Sequence, residues 1–335
     1  MNRPNKISIG RPIRLSTATK ESLPEPIGML EEKLTGEEIR SLFYQRAELL
    51  KSRDPRYIRA IIIGAKGSGK TYSCIRTLPR PILLLCFDPD AERIVQPEEI
   101  DTGEILPILY YGDNPKRPRA YLQYEEDVDT WKENGFFDYF ASVVVDGLST
   151  LQQVHLRQIA YEDRLRKMEL KKIEPKTKVR FTLMPELRDY HVLKTSSILE
   201  FMSLCAVPCH LVLTAHIMEE RYTIDSETGA YAIRKILNTT PALQGNIPYL
   251  FSEIYLAQRS LRDPKGARSK AGMPTFTWLT ERTAAYAELP LMTRFNAQKK
   301  IVEMEEPQDF RALLKKTGCL WEDKPFVGKP KEEEK

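Results

Sequence analysis

Cysteine is scarce in this chain: five residues in 335, at positions 74, 86, 205, 209 and 319. An odd count without a paired framework excludes a disulfide-stapled fold and reads as reduced thiols in a cytosol-like compartment. Cys205 and Cys209 have no second Cys/His pair nearby, so they read as core residues rather than a zinc site. Long apolar runs are absent too. Ile61–Ile63 and Ile82–Phe87 fall far short of the ~20 residues a membrane helix needs. The first residues, Met1 to Lys6, lead into no apolar stretch, so neither a secretory signal nor a membrane partner is expected, and a cytoplasmic protein is. Nor does one sign of charge dominate, since 51 Lys+Arg face 47 Asp+Glu for a net +4. That balance does not by itself announce a nucleic-acid binder, which needs clustered charge. With 41% hydrophobic and 29% charged residues, the composition excludes disorder of the whole chain and permits a sizeable core.

What is present is an alternation of short buried runs with helix-prone stretches. Residues 1–56 hold a basic, acid-free arm (Arg3, Lys6, Arg11, Arg14, Lys20) and a helix over 36–53 that Asp54-Pro55 stops. The arm reads either as a free tail or as a segment for oligomerisation or DNA contact. From Tyr57 the pattern is βαβ. Strands are expected at Ile58–Ile63, Ile82–Phe87, Ile108–Tyr111, Ser142–Val145 and His210–Thr214. Helices are expected at Tyr72–Leu78, Glu125–Glu133, Leu148 to about Lys172 and Val192–Leu204. Ile254–Ala257 and Thr275–Leu279 suggest hairpin strands. The division that follows is an extension (1–56), an α/β core with a mainly parallel central sheet and a C-terminal β-hairpin region (57–295), and a C-terminal helix with a charged tail (296–335).

Gly64-Ala65-Lys66-Gly67-Ser68-Gly69-Lys70-Thr71 fits G-x-x-x-x-G-K-[ST] without a mismatch, and it follows a strand and opens a helix. That context aims backbone N–H groups at a phosphate. Lys70 would reach the β- and γ-phosphates of a nucleotide, and the Thr71 hydroxyl would hold Mg²⁺. A second magnesium-side carboxylate is expected at a neighbouring strand end, and Val143-Val144-Val145-Asp146-Gly147 supplies Asp146. Gly147 stands where many motor ATPases carry a water-polarising glutamate. The acid must therefore come from elsewhere. The strand Ile82–Phe87, expected beside the P-loop strand, delivers Asp88-Pro89-Asp90-Ala91-Glu92 to the same sheet end. Asp90 or Glu92 is the candidate for orienting the attacking water, against a plain polar loop. His216, closing the strand that starts at His210, reads either as a γ-phosphate sensor or as a satisfied buried histidine.

These residues, in this order, resemble the phage nucleotide-binding proteins with a RecA-like ATPase core, including the shortened recombinases that act as single-strand annealing proteins. The resemblance rests on the P-loop, Phe87–Glu92, Val143–Leu151, Arg188-Asp189-Tyr190, Leu211–His216, Pro241–Gly245, Ile247-Pro248 and Thr277–Thr280, within Tyr57–Arg294. It implies a RecA-type fold, ATP with Mg²⁺, single-stranded DNA as partner and a homo-oligomeric ring or filament. It also implies a water-orienting acid after the second strand, in keeping with Asp90 or Glu92. DNA loops would follow the strands ending at Asp146 and His216. Residues 155–180 carry nine Lys/Arg against four acids. Within them Arg164, Arg166, Lys167, Lys171 and Lys172 are the DNA candidates, weighed against a solvated helix face. Arg259, Arg262, Arg268, Arg282 and Arg294 are candidates for an arginine finger reaching a neighbour's ATP. The expected activity is that of a RecA-like ATPase acting on single-stranded DNA in recombination or annealing. Alternatives are a helicase-like or packaging-related motor, and a P-loop assembly protein that binds ATP with little hydrolysis.

Overall fold

The computed structural model describes residues 57–114, 117–170, 185–225, 229–260, 274–297 and 300–325. The expected arm and helix before Tyr57 and the charged tail after residue 325 lie outside the described residues. The first unit is β1 (Arg59–Gly64), the Gly64–Thr71 loop and α1 (Lys70–Thr77). Next come β2 (Ile82–Cys86), β3 (Ile105–Leu109), α2 (Ala120–Glu133) and β4 (Ser142–Asp146). Two long helices, α3 (Leu148–Leu170) and α4 (Leu187–Leu204), precede β5 (His210–Asp225) and β6 (Ala230–Leu237). The chain closes with β7 (Glu253–Ser260), β8 (Thr275–Leu279), β9 (Met292–Thr293), β10 (Glu305–Pro307) and α5 (Phe310–Thr317).

The strands form one mixed, mostly parallel sheet in the order β10-β8-β7-β1-β5-β4-β2-β3. β1 to β5 and β7 run parallel; β8 runs antiparallel to β7, and β10 antiparallel to β8. The sequence reading put β2 beside β1. The structure corrects this: β5 and β4 stand between them, and β7 takes the other flank of β1. β7 and β8 do pair as a hairpin, yet β7 is also a core strand against β1.

Strand side chains alternate between two buried faces, which is why the runs show no hydrophobic-polar alternation. Ile61, Ile63, Leu83, Leu85, Val143, Val145, Leu211 and Leu213 pack against α2, α3 and α4 through Tyr124, Leu151, Val154, Leu193 and Phe201. Ala60, Ile62, Leu84, Val144 and Val212 face α1 and α5 through Cys74, Ile75, Phe310, Leu313 and Leu314. Trp278 of β8 lies between Tyr255 and Phe310, with ring centroids 5.7 and 4.5 Å away. The C-terminal helix expected after residue 295 is present as α5. It belongs to the core, because β10 completes the sheet edge and Phe310 is fully buried. Cys209 is buried and Cys205 half-buried. Burial pushes their thiols up to about 12 and about 11, so neither is poised to react.

One element was unexpected. β5 runs on for 16 residues rather than stopping at Thr214, and from Ile217 it pairs only with β6. Because Gly64 pairs with His216, this hairpin projects beyond the sheet at the Gly64 end, by about 25 Å at strand rise.

Candidate nucleotide site

All parallel strands point their C-terminal ends at the same edge, and a cleft of about 960 Å³ opens there. Lys66, Gly67, Gly69, Lys70, Thr71, Asp88, Asp90, Asp146 and His216 are among the residues lining it. At the turn into α1, Gly69 adopts φ +91°. A Cβ there would meet the Gln308 amide oxygen at 2.6 Å and the Phe276 ring at 2.9 Å, so the position takes no side chain. Lys70 is buried, and its Nζ donates to the carbonyls of Gly64 at 3.0 Å and Ala65 at 2.9 Å. Two of its three hydrogens stay on the loop, leaving one for a ligand. Desolvation pulls the Lys70 ammonium below its ordinary value, while Asp146 and Asp88 oppose the shift.

Thr71 Oγ1 donates to Asp146 Oδ1 at 2.6 Å, across 75 residues of sequence. Thr214 of the intervening β5 donates to the same oxygen at 2.8 Å. Burial raises the Asp146 carboxyl above the usual range, and these two hydroxyls only partly offset it. The loop meets one test of phosphate fit: Gly67 at φ +77° and Gly69 at φ +91° line the cleft with backbone and carry no side chain into it. Thr71 and Asp146 are the hard oxygen donors that Mg²⁺ takes, one or two side chains completed by phosphate and water. Among the described residues no group of three His, Cys, Asp or Glu forms a self-sufficient metal cage.

Asp88 is the acid bonded into this centre; Asp90 also lines the cleft, and Glu92 does not. Asp88 Oδ2 lies 2.9 Å from His216 Nε2, and Thr150 Oγ1 donates to its Oδ1. Its backbone N–H donates to the Asp146 carbonyl at 3.1 Å. Since an ionised carboxylate only accepts, His216 Nε2 carries a proton. Desolvation works against ionisation here, yet the bonds from His216 and Thr150 outweigh it and hold Asp88 below the usual carboxylate range. Asp90, by contrast, sits on the rim in a left-handed conformation, 62% exposed, and pairs with Arg93 at 3.0 Å. Glu92 does not line the cleft; it accepts from the Tyr111 hydroxyl at 2.5 Å. Gly147 now has a steric reason. Its φ is +99°, and a Cβ there would lie 2.6 Å from the Asp88 carboxylate. The glutamate of the motor pattern cannot be built where Asp88 already stands.

The remaining candidates are scattered. Arg166 and Lys167 bind Asp163 at 2.6 and 2.7 Å, and Lys167 also binds Glu186 at 2.7 Å. Arg164 is half-buried, and Lys171 and Lys172 lie outside the described residues. Arg259 is exposed where β7 ends, at the cleft edge of the sheet. Arg282 and Arg294 are exposed near the opposite edge, Arg294 next to the β7–β9 pair at Glu253. Arg262 and Arg268 lie outside the described residues. The hairpin carries basic and aromatic groups that the sequence reading passed over. Arg221 lies over the Tyr231 ring at 5.2 Å and Arg234 over Tyr222 at 5.4 Å, and both tyrosines are exposed. Among the described residues no helix is long and apolar enough to cross a membrane. Compared with known protein families and with curated proteins, the chain matches no family model and no curated sequence.

Proposed function

We propose that this chain is an ATP-binding, Mg²⁺-dependent P-loop protein with a RecA-like core that acts on single-stranded DNA as a homo-oligomer. The observation that carries the nucleotide reading is the Thr71–Asp146 hydrogen bond, set beside a desolvated Lys70 at the mouth of one cleft. Strand-end carboxylate, helix-opening hydroxyl and loop lysine are the parts phosphoryl transfer needs. When bound, the ion neutralises charge developing on the phosphates. Lys70 places a positive charge against them, and Asp88 orients water at the terminal phosphate. His216 holds Asp88 and stands at the root of the hairpin, so the two sites share one hydrogen bond. The hairpin follows the strand after which the resembling family places a DNA loop. Its Arg–Tyr pairs offer cations for phosphate and rings for bases.

Mg²⁺-dependent ATP hydrolysis, measured with and without single-stranded DNA at fixed salt, tests this. Activity stimulated by DNA and abolished in Lys70→Ala is expected. Turnover that survives in Lys70→Ala would remove the loop from the site. A second reading has its own support: a carboxylate held below its usual range is a weak base. Tight ATP binding with negligible turnover, indifferent to DNA, would make the chain an assembly switch.

A further inference from the structure

The phosphate site leaves open what the phosphates are attached to, and the same cleft contains an answer. At about 960 Å³ it has the size of sites that hold whole drug-sized ligands. One end is polar: Asp88, Asp146, His216 and Lys70. The other is lined by Tyr72, Phe276 and Pro307, with Gln308 and Asp309 at its rim. Sheet order fixes the direction between them. β4 and β2, which carry the acids, lie on one side of β1, while β8 and β10 lie on the other. With strands about 4.8 Å apart, Phe276 and Pro307 sit two and three strands from β1, away from Asp146. A nucleotide whose terminal phosphate meets Asp146 therefore runs past Thr71 toward Tyr72 and Phe276.

The apolar end is built for a flat ring. Tyr72 is 61% exposed and Phe276 39% exposed, an unusual outlay of aromatic surface at a concave site. The Phe276 ring closes against Gly69. Gln308 then fastens this wall to the phosphate loop, its Nε2 donating to the carbonyls of Ser68 at 2.9 Å, Thr277 at 2.9 Å and Gln258 at 3.2 Å. Asp309 is fixed as the cap of α5 by the Ala312 N–H at 3.0 Å.

We infer that Tyr72, Phe276 and the Pro307–Asp309 segment form the nucleobase subsite of this cleft, with Gln308 as the positioning residue that joins it to the phosphate loop. The inference rests on the nucleotide reading above, and its test separates the two. Calorimetric titration of the full chain in Mg²⁺ buffer would compare ATP with inorganic tripolyphosphate, which has the phosphates and no base. The wild-type chain is expected to bind ATP at least about tenfold more tightly, since one base stacked on an aromatic ring is worth that much. Phe276→Ala should lose about that factor for ATP and leave tripolyphosphate unchanged, while Phe276→Trp should restore it. Retained tripolyphosphate binding also shows that the variant is folded. Equal wild-type affinities for the two ligands would overturn the subsite and spare the phosphate site. Parallel losses of both in Phe276→Ala would reduce the ring to a support for Gly69 and overturn it as well. A wild-type chain that binds neither ligand would end the nucleotide reading and the subsite together.

Discussion

Replacing Asp88 by Asn is the sharpest test of how the centre works. The change keeps the side chain's size and an acceptor for Thr150, and His216 can shift its proton between ring nitrogens to meet an amide. Shape is preserved while charge is removed. Proton handling and water positioning by a placed side chain contribute about 10²–10⁴ in rate, or roughly 3–5 kcal/mol. The lower end applies here, because a carboxylate held below its usual range orients water better than it deprotonates it. A loss of about 100-fold in kcat, with ATP affinity little changed, is expected. Asp90→Asn removes only a rim charge whose partner, Arg93, is 77% exposed. Such pairs are worth about 0–1 kcal/mol, so its activity should stay within about fivefold. Glu92→Gln alters a contact with Tyr111 away from the cleft and should behave likewise. Steady-state ATPase measurements on the three variants decide the matter. Full activity in Asp88→Asn, or a 100-fold loss confined to Asp90→Asn or Glu92→Gln, would refute the assignment.

Two further outcomes follow from charge and exposure. Burial raises the Asp146 carboxyl, so the folded state holds its proton more tightly than the unfolded chain does. That group favours folding at low pH and costs stability once pH rises through its raised value. Asp146→Asn should therefore melt higher than the wild type by a few degrees at pH 7.5 without Mg²⁺, and the gain should shrink toward pH 4. A lower melting temperature at pH 7.5 would contradict the sign; loss of Mg²⁺-dependent ATP turnover is expected in the same variant. On the hairpin, Tyr222→Ala with Tyr231→Ala should weaken single-stranded DNA binding by about tenfold or more in fluorescence anisotropy, with ATP affinity intact. Unchanged DNA affinity would take the hairpin out of the DNA site.

The residues that gave themselves away in the sequence are those whose chemistry depends on chain neighbours. A strand that turns through glycines into a helix is a local event, so Gly64–Thr71 and the buried strands β1, β2 and β4 were readable from Tyr57 onward. Asp146 was readable because it ends an apolar run at once. Asp88 was not, since three acids follow β2 at two-residue spacing and sequence cannot tell which remains in phase with the sheet. The structure shows why only the first does. The chain takes a left-handed turn at Asp90 and a tight helical turn over Ala91–Ile94, which leaves Asp90 at the cleft rim beside Arg93 and turns Glu92 to Tyr111. The signal was present in β4, where the candidate magnesium-side carboxylate stands directly at the strand end, as Asp88 nearly does after β2. Strand neighbours were hidden for a different reason: two strands covered on both faces look alike, so nothing local placed β5 and β4 between β1 and β2. Gln308 was invisible because its work is done 240 residues from Ser68, just after a three-residue strand too short to show a period.

The hairpin was missed because it breaks the rule that made the other strands visible. Met218, Glu219, Glu220, Arg221 and Tyr222 alternate between faces that are both largely open to solvent, so burial imposes no pattern on them. An exposed two-stranded ribbon is marginal in water unless its base is fixed. Here the base is fixed by the core itself. β5 is one continuous strand whose first half is buried between β1 and β4, and the Asn238 N–H closes the return strand onto the His216 carbonyl at 2.8 Å. His216 is thus the last residue paired with β1 and the first that the hairpin leans on, and its ring is bonded to Asp88. Asp88 and the root of the hairpin are joined by one hydrogen bond, with no loop between them. That continuity is a physical reason to expect ATP and DNA affinities to depend on each other, equally in both directions.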